Sequence, residues 1–186
     1  TRRSSDLYIE EDLNFDDLHV LGEGSWTRAF KMDNGQVLLR SQCKVKKAIS
    51  QGLFPDSPLF PEITEVWYDA EREVTYYTME LLEPGSFHEK ENFGNSLSPE
   101  SKIIWEQLIP LDNFMYSLHM EMSRIDFWIK KFQNNLPNAL ANLMISVLRA
   151  CDTDNTGNVG FEIPMHNIAC KDGQLVLFDC FCNFTP

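Results

Sequence analysis

The spacing of apolar side chains changes period once along this 186-residue chain, and that change limits the fold more than any other feature. From His19 to Leu82, apolar residues come in short runs rich in β-branched and aromatic side chains, separated by turn formers. Val20-Leu21 and Gln36-Val37-Leu38-Leu39-Arg40 flank Gly22-Glu23-Gly24-Ser25-Trp26 and the turn Met32-Asp33-Asn34-Gly35. Asn-Gly tolerates the positive φ that a tight hairpin needs, so this stretch predicts an antiparallel meander. A second hairpin is expected from Ile63 to Tyr68 and Val74 to Leu82, joined by the polar run Asp69 to Glu73. Between the hairpins, Lys44 to Gly52 predicts a short basic helix, closed by Phe54-Pro55-Asp56-Ser57-Pro58.

After Glu83-Pro84-Gly85 the period becomes helical. Ser98-Pro99-Glu100 is an N-cap with proline in the first turn, and periodicity follows through Leu108. Further helices are expected over Asp112 to Phe132 and Pro137 to Ala150; in the second, Leu140, Leu143, Met144, Val147 and Leu148 trace one buried stripe. Two last strands, Phe161 to Cys170 and Gln174 to Cys180, bracket the turn Lys171-Asp172-Gly173. Strands first, helices second and a closing hairpin predict an α+β chain of two unequal lobes. Its parts are an acidic flexible arm (1–17), a sheet-rich N-lobe (18–83) and a helical C-lobe (84–186).

With 43% hydrophobic and 12% aromatic residues the chain has enough apolar surface for a folded core. A formal charge of −12 repels phosphate backbones and anionic headgroups, which argues against nucleic acid and membrane surfaces as direct partners. The five cysteines make an odd count without secreted-domain spacing, and neither a signal peptide nor a long apolar run is present, so a cytoplasmic location is expected. Cys180-Phe181-Cys182 has no second pair to complete a zinc site and reads as small apolar side chains at a strand end.

Three motifs could carry chemistry. Gly22-Glu23-Gly24 could be a bare-backbone turn that lets N–H groups approach phosphates, although such a turn is more often only a turn. Asn167 and Asp179 lie twelve positions apart across the terminal hairpin, so an oxygen from each strand end could meet one Mg²⁺. The competing account is that both serve turn hydrogen bonds. Asp152-Thr153-Asp154-Asn155-Thr156-Gly157 resembles the start of a calcium loop, but Ile163 stands at the twelfth position, where the bidentate acid belongs, and Pro164 obstructs the helix that should follow. A polar turn is the better reading.

Phe161-Glu162-Ile163-Pro164-Met165-His166-Asn167-Ile168, followed by Gly173-Gln174-Leu175-Val176-Leu177-Phe178-Asp179, resembles the catalytic loop and metal-binding aspartate of protein kinases and related small-molecule phosphotransferases. Leu21 to Trp26 is similar to the glycine-rich loop, Val37-Leu38-Leu39-Arg40 to the strand that ends in the phosphate-binding lysine, and Thr78-Met79-Glu80-Leu81-Leu82 to the hinge. Within that fold the chain resembles the early serine/threonine protein kinases of T-odd podophages, from about Leu21 to Phe181. The resemblance implies a minimal two-lobed kinase-like fold and ATP with Mg²⁺ as ligands. Gly22, Gly24, Arg40 and Glu80 would bind nucleotide, Asn167 and Asp179 metal, and Glu162 would be the catalytic base. It also implies a host protein as partner and the host cytoplasm as location.

The departures from the family pattern matter equally. Arg40 stands where a lysine is expected, and a guanidinium is wider and forked. No glutamate lies between Ser41 and Pro61 to pair with that cation. Glu162 replaces aspartate and carries its carboxylate one methylene further, a displacement able to cost about a hundredfold in rate. Cys180-Phe181 follows the metal aspartate where Phe-Gly is usual, and no activation segment is expected after it. Two functions follow: a pseudokinase-like binding or inhibitory module, favoured by the altered positions, and an active serine/threonine kinase modifying host proteins.

Overall fold

The computed structural model describes residues 18–24, 26–83, 90–112 and 124–183. The expected arm and the 113–123 part of the helix expected from Asp112 to Phe132 lie outside these residues.

The N-terminal half is a five-stranded antiparallel sheet of order β1-β2-β3-β5-β4, built from β1 (His19–Glu23), β2 (Thr27–Lys31), β3 (Gln36–Ser41), β4 (Ile63–Asp69) and β5 (Val74–Glu80). Both expected hairpins form for the reasons their turns supply. Gly35 takes φ 82°, and the Asn34 side chain accepts the Gln36 amide. In the β4–β5 turn, Asp69 Oδ1 accepts the amides of Glu71 and Arg72. Helix α1 (Lys44–Ser50) sits between β3 and β4 in the chain and packs Ile49 on one face of the sheet with Val37, Tyr77 and Met79. Phe54, Leu82 and Phe178 extend that cluster. The other face holds Phe30, Leu38 and Tyr76, with Trp67 stacked on Tyr76 at 4.9 Å between ring centroids.

The C-terminal half carries α2 (Lys90–Ser96), α3 (Pro99–Asp112), α4 (Ile125–Asn135) and α5 (Asn138–Cys151). Ser98 caps α3, accepting the Ser101 amide at 3.3 Å, and the helix continues past Leu108 to Asp112. Met144, Val147 and Leu148 of α5 are fully buried, with Leu140 and Leu143 packed at the margin of the core. Aromatic edges join the helices to the closing strands: Phe161 meets Trp128 at 5.7 Å, Phe132 at 5.4 Å and Phe181 at 5.3 Å. Sheet first and helices second make the expected α+β arrangement, with an antiparallel sheet in the N-terminal half and helices in the C-terminal half.

The closing segment corrects one expectation. In place of two long strands there are two separate pairs. β6 (Val159–Phe161) pairs with β9 (Phe181–Asn183), and β7 (Ile168–Lys171) with β8 (Gln174–Leu177). Pro164 has no amide to give a ladder, and a 3₁₀ turn, Met165–Asn167, follows it. The chain therefore bends twice, once at each side of the inner hairpin, and both bends fall at the resembling motif.

Candidate functional site

The two bends place Asn167 against Asp179. The Asn167 carbonyl accepts the amides of Phe178 at 3.1 Å and Asp179 at 3.4 Å, while its side-chain Nδ2 donates to the Asp179 carbonyl at 2.6 Å. Asn167 is buried, and its own amide donates to Pro164 O at 2.8 Å. The backbone between β8 and β9 is thus pinned by one residue, and the Asp179 side chain, 41% exposed, projects from the pinned bend. Glu162 follows β6 directly, and its amide donates to the Cys180 carbonyl at 2.9 Å, which keeps it beside the same bend.

A residue that the resemblance did not assign completes the group. Lys46, in the first turn of α1, places Nζ 2.5 Å from Asp179 Oδ1, and its side chain is only 5% exposed. Burial acts most strongly on Lys46 and works to lower its pKa. The Asp179 carboxylate, with smaller contributions from Tyr77 and Cys43, outweighs burial and holds the ammonium above its ordinary range. Tyr77, buried on the same sheet face, is itself pushed up to about 12, chiefly by burial.

Arg40 is placed elsewhere. It pairs in register with Tyr76, and its Nε lies 3.4 Å from the Tyr76 hydroxyl. Both therefore lie on the sheet face opposite Tyr77, Ile49 and Phe178. Side chains alternate along a strand, and the cation paired with Asp179 comes from the helix and not from β3. Glu80 ends β5 and forms an ion pair with Lys171 of β7, tying the inner hairpin to the segment read as a hinge. Gly22 and Gly24 lie at the β1–β2 hairpin, where one Arg28 guanidinium nitrogen donates to both Glu23 carboxylate oxygens at 2.8 Å. Neither glycine has a positive φ. A Cβ at Gly22 would meet nothing within 4 Å, and one at Gly24 only the Thr27 carbonyl at 3.8 Å.

The donor set fits Mg²⁺. An amide and a carboxylate are hard oxygen ligands, and magnesium characteristically takes one or two from protein and fills its octahedral shell with phosphate oxygens and water. Among the described residues no cluster of three His, Cys, Asp or Glu side chains is placed to hold a metal alone. The open space at Gly22 and Gly24 suits a phosphate chain approaching bare backbone. At the calcium-like loop, by contrast, Asp152 Oδ1 is taken by the amides of Thr156 at 2.9 Å and Gly157 at 3.0 Å, which makes a polar turn.

The sequence carried a faint signal for Lys46. Val45, Ala48 and Ile49 form the buried stripe of α1, and Lys46 borders it, whereas Lys47 is half-buried and lies over the Tyr68 ring. Which lysine turns inward depends on where the helix docks, and spacing alone does not give that.

No family model and no curated protein matches this chain. Among solved structures, one that aligns is a thermostable mutant of the aminoglycoside phosphotransferase APH(4)-Ia in its apo form. The identity is 15% and the TM-score 0.40, over 90% of this chain and 69% of that one. No helix among the described residues is long and apolar enough to cross a membrane.

Proposed function

We propose that this chain binds a magnesium–nucleoside triphosphate complex at the bend between its lobes and serves as a phosphotransferase. The observation that supports this most is the meeting of Asn167, Asp179 and Lys46: Asn167 bonds the Asp179 backbone carbonyl, and a buried ammonium from 133 positions away reaches the Asp179 carboxylate. A lysine is thus present at the bend, and in the free protein its partner is Asp179. ATP is the expected donor. Magnesium, when bound, would supply charge neutralisation between Asp179, Asn167 and phosphate oxygens.

Glu162 is the residue proposed to accept the proton of an acceptor hydroxyl, since it is held beside the Asp179 bend by its amide bond to Cys180. A serine or threonine of a host protein is the acceptor that the sequence resemblance implies. The test is transfer of labelled γ-phosphate to protein substrates, comparing wild type with Glu162→Gln and Glu162→Asp. The proposal expects the Gln variant to lose transfer by about a hundredfold or more while nucleotide affinity holds, and the Asp variant to retain it. Equal rates for wild type and Glu162→Gln would remove Glu162 from that role.

A second reading is favoured by the burial of Lys46. In it the Lys46–Asp179 pair is a permanent clamp between α1 and the closing strands, and the fold is a pseudokinase-like scaffold for a protein partner. Absence of nucleotide binding by folded protein would select it.

A further inference from the structure

The Lys46–Asp179 contact raises a question that nucleotide binding alone does not answer: both groups are needed by a ligand, and each already holds the other. Lys46 Nζ sits 2.5 Å from the same Asp179 carboxylate that the proposed metal would use. A cation arriving alone would have to displace an ammonium that then has little water to turn to, because the Lys46 side chain is 5% exposed. A phosphate arriving alone would have to draw Lys46 off its carboxylate. Metal and phosphate arriving together replace both partners with groups of the same sign, so neither buried charge is left uncompensated.

Resting on the function proposed above, we propose that Lys46 is the phosphate-binding cation of this site, delivered by helix α1 in place of β3, and that its pairing with Asp179 makes the free protein select the metal–nucleotide complex over either component. The pair is an exchangeable contact. On binding, the Asp179 carboxylate passes from the ammonium to the metal, and the ammonium passes to a phosphate oxygen. Arg40, on the opposite face of the sheet beside Tyr76, takes no part. The exchange needs no strand rearrangement, since Asp179 is half-exposed on a bend already pinned by Asn167, and Lys46 moves only its flexible side chain.

The consequence has two signs, which separates it from a structural role. Removing the ammonium frees the carboxylate, so Lys46→Met should bind Mn²⁺ alone about threefold or more tightly than wild type. It should also bind Mg–ATP at least about tenfold more weakly, because a charge-assisted bond to phosphate is lost. Arg40→Ala should change neither. Asp179→Asn frees the lysine instead: Mn²⁺ binding falls, while metal-free ATP binds severalfold more tightly than to wild type, by about the factor expected for releasing a paired cation. Titration calorimetry with Mn²⁺ alone, ATP alone and Mg–ATP, on variants checked by circular dichroism, reads all of these. If Lys46→Met does not fold, the Asp179→Asn titration with metal-free ATP decides. Wild type that binds Mg–ATP, with Lys46→Met unchanged toward either ligand or Asp179→Asn no tighter for metal-free ATP, overturns this inference and leaves the proposed function standing. Folded wild type that binds no Mg–ATP overturns both.

Discussion

At the residue scale, the site depends on what each side chain is free to do once the fold has used it. Gly22 shows this most simply. A Cβ there meets nothing within 4 Å, and the residue is at the exposed hairpin edge, so Gly22→Ala should leave stability within about 0.5 kcal/mol of wild type. If phosphates approach that backbone, the same change should weaken Mg–ATP binding severalfold, and thermal unfolding with and without ligand would separate the two effects. Asn167 and Asp179 could be found in the sequence because a single hairpin joins them, and local turn chemistry brings its own ends together. Lys46 could not, since its partner lies 133 positions away. Arg40 illustrates a different loss of information. Val37-Leu38-Leu39 is apolar on both faces, and a strand buried on both faces carries no alternation from which to read the side its last residue will take.

At the element scale, the helices are placed by a few contacts whose removal has calculable cost. The N-terminus of α3 docks on the turn of the inner hairpin, where the Ser98 amide donates to the Gly173 carbonyl at 2.7 Å. Gly173 has φ 81°, and a Cβ there would come within 3.3 Å of the Ser98 amide nitrogen. Gly173→Ala should therefore destabilise by more than about 1 kcal/mol, from backbone strain and crowding together, with Ser98→Ala costing about 1 kcal/mol for the cap alone. Urea unfolding of both variants checks the order. The paired strands β6 and β9 are short, and their legibility failed for a physical reason: the run from Phe161 to Cys170 looks apolar enough for one strand, but Pro164 and the Asn167 hydrogen bonds divide it. Phe161 holds that division in place by packing on Trp128, Phe132 and Phe181. Phe161→Ala should cost about 3–5 kcal/mol and loosen Glu162, the next residue in the chain.

At the scale of the whole molecule, the two lobes were legible because hydrophobic period and turn chemistry agree along the chain, while their docking was not, because it depends on charges meeting across lobes. Lys46 with Asp179 and Glu80 with Lys171 both cross that boundary. The buried groups near it set how stability depends on pH. Burial pushes the Cys151 thiol from its ordinary 9.0 up to about 12 and the Tyr77 phenol from 10.0 up to about 12, and Asp179 holds Lys46 above its ordinary 10.5 against the effect of burial. In each case the unfolded chain releases its proton at a lower pH than the folded one, so the folded state binds more protons across that window. The stability these groups contribute should then be fully present below pH about 9 and be lost as pH rises towards 12, and melting temperatures measured between about pH 8 and 12 would show it. A flat profile would mean these groups are not buried as described. The central claim is that the bend between the lobes takes a metal–nucleotide complex. Isothermal titration of the purified protein with ATP, with and without Mg²⁺, tests it most directly: the account predicts binding that strengthens with Mg²⁺ and loses that gain in Asp179→Asn, and no binding by a folded sample under either condition would contradict it.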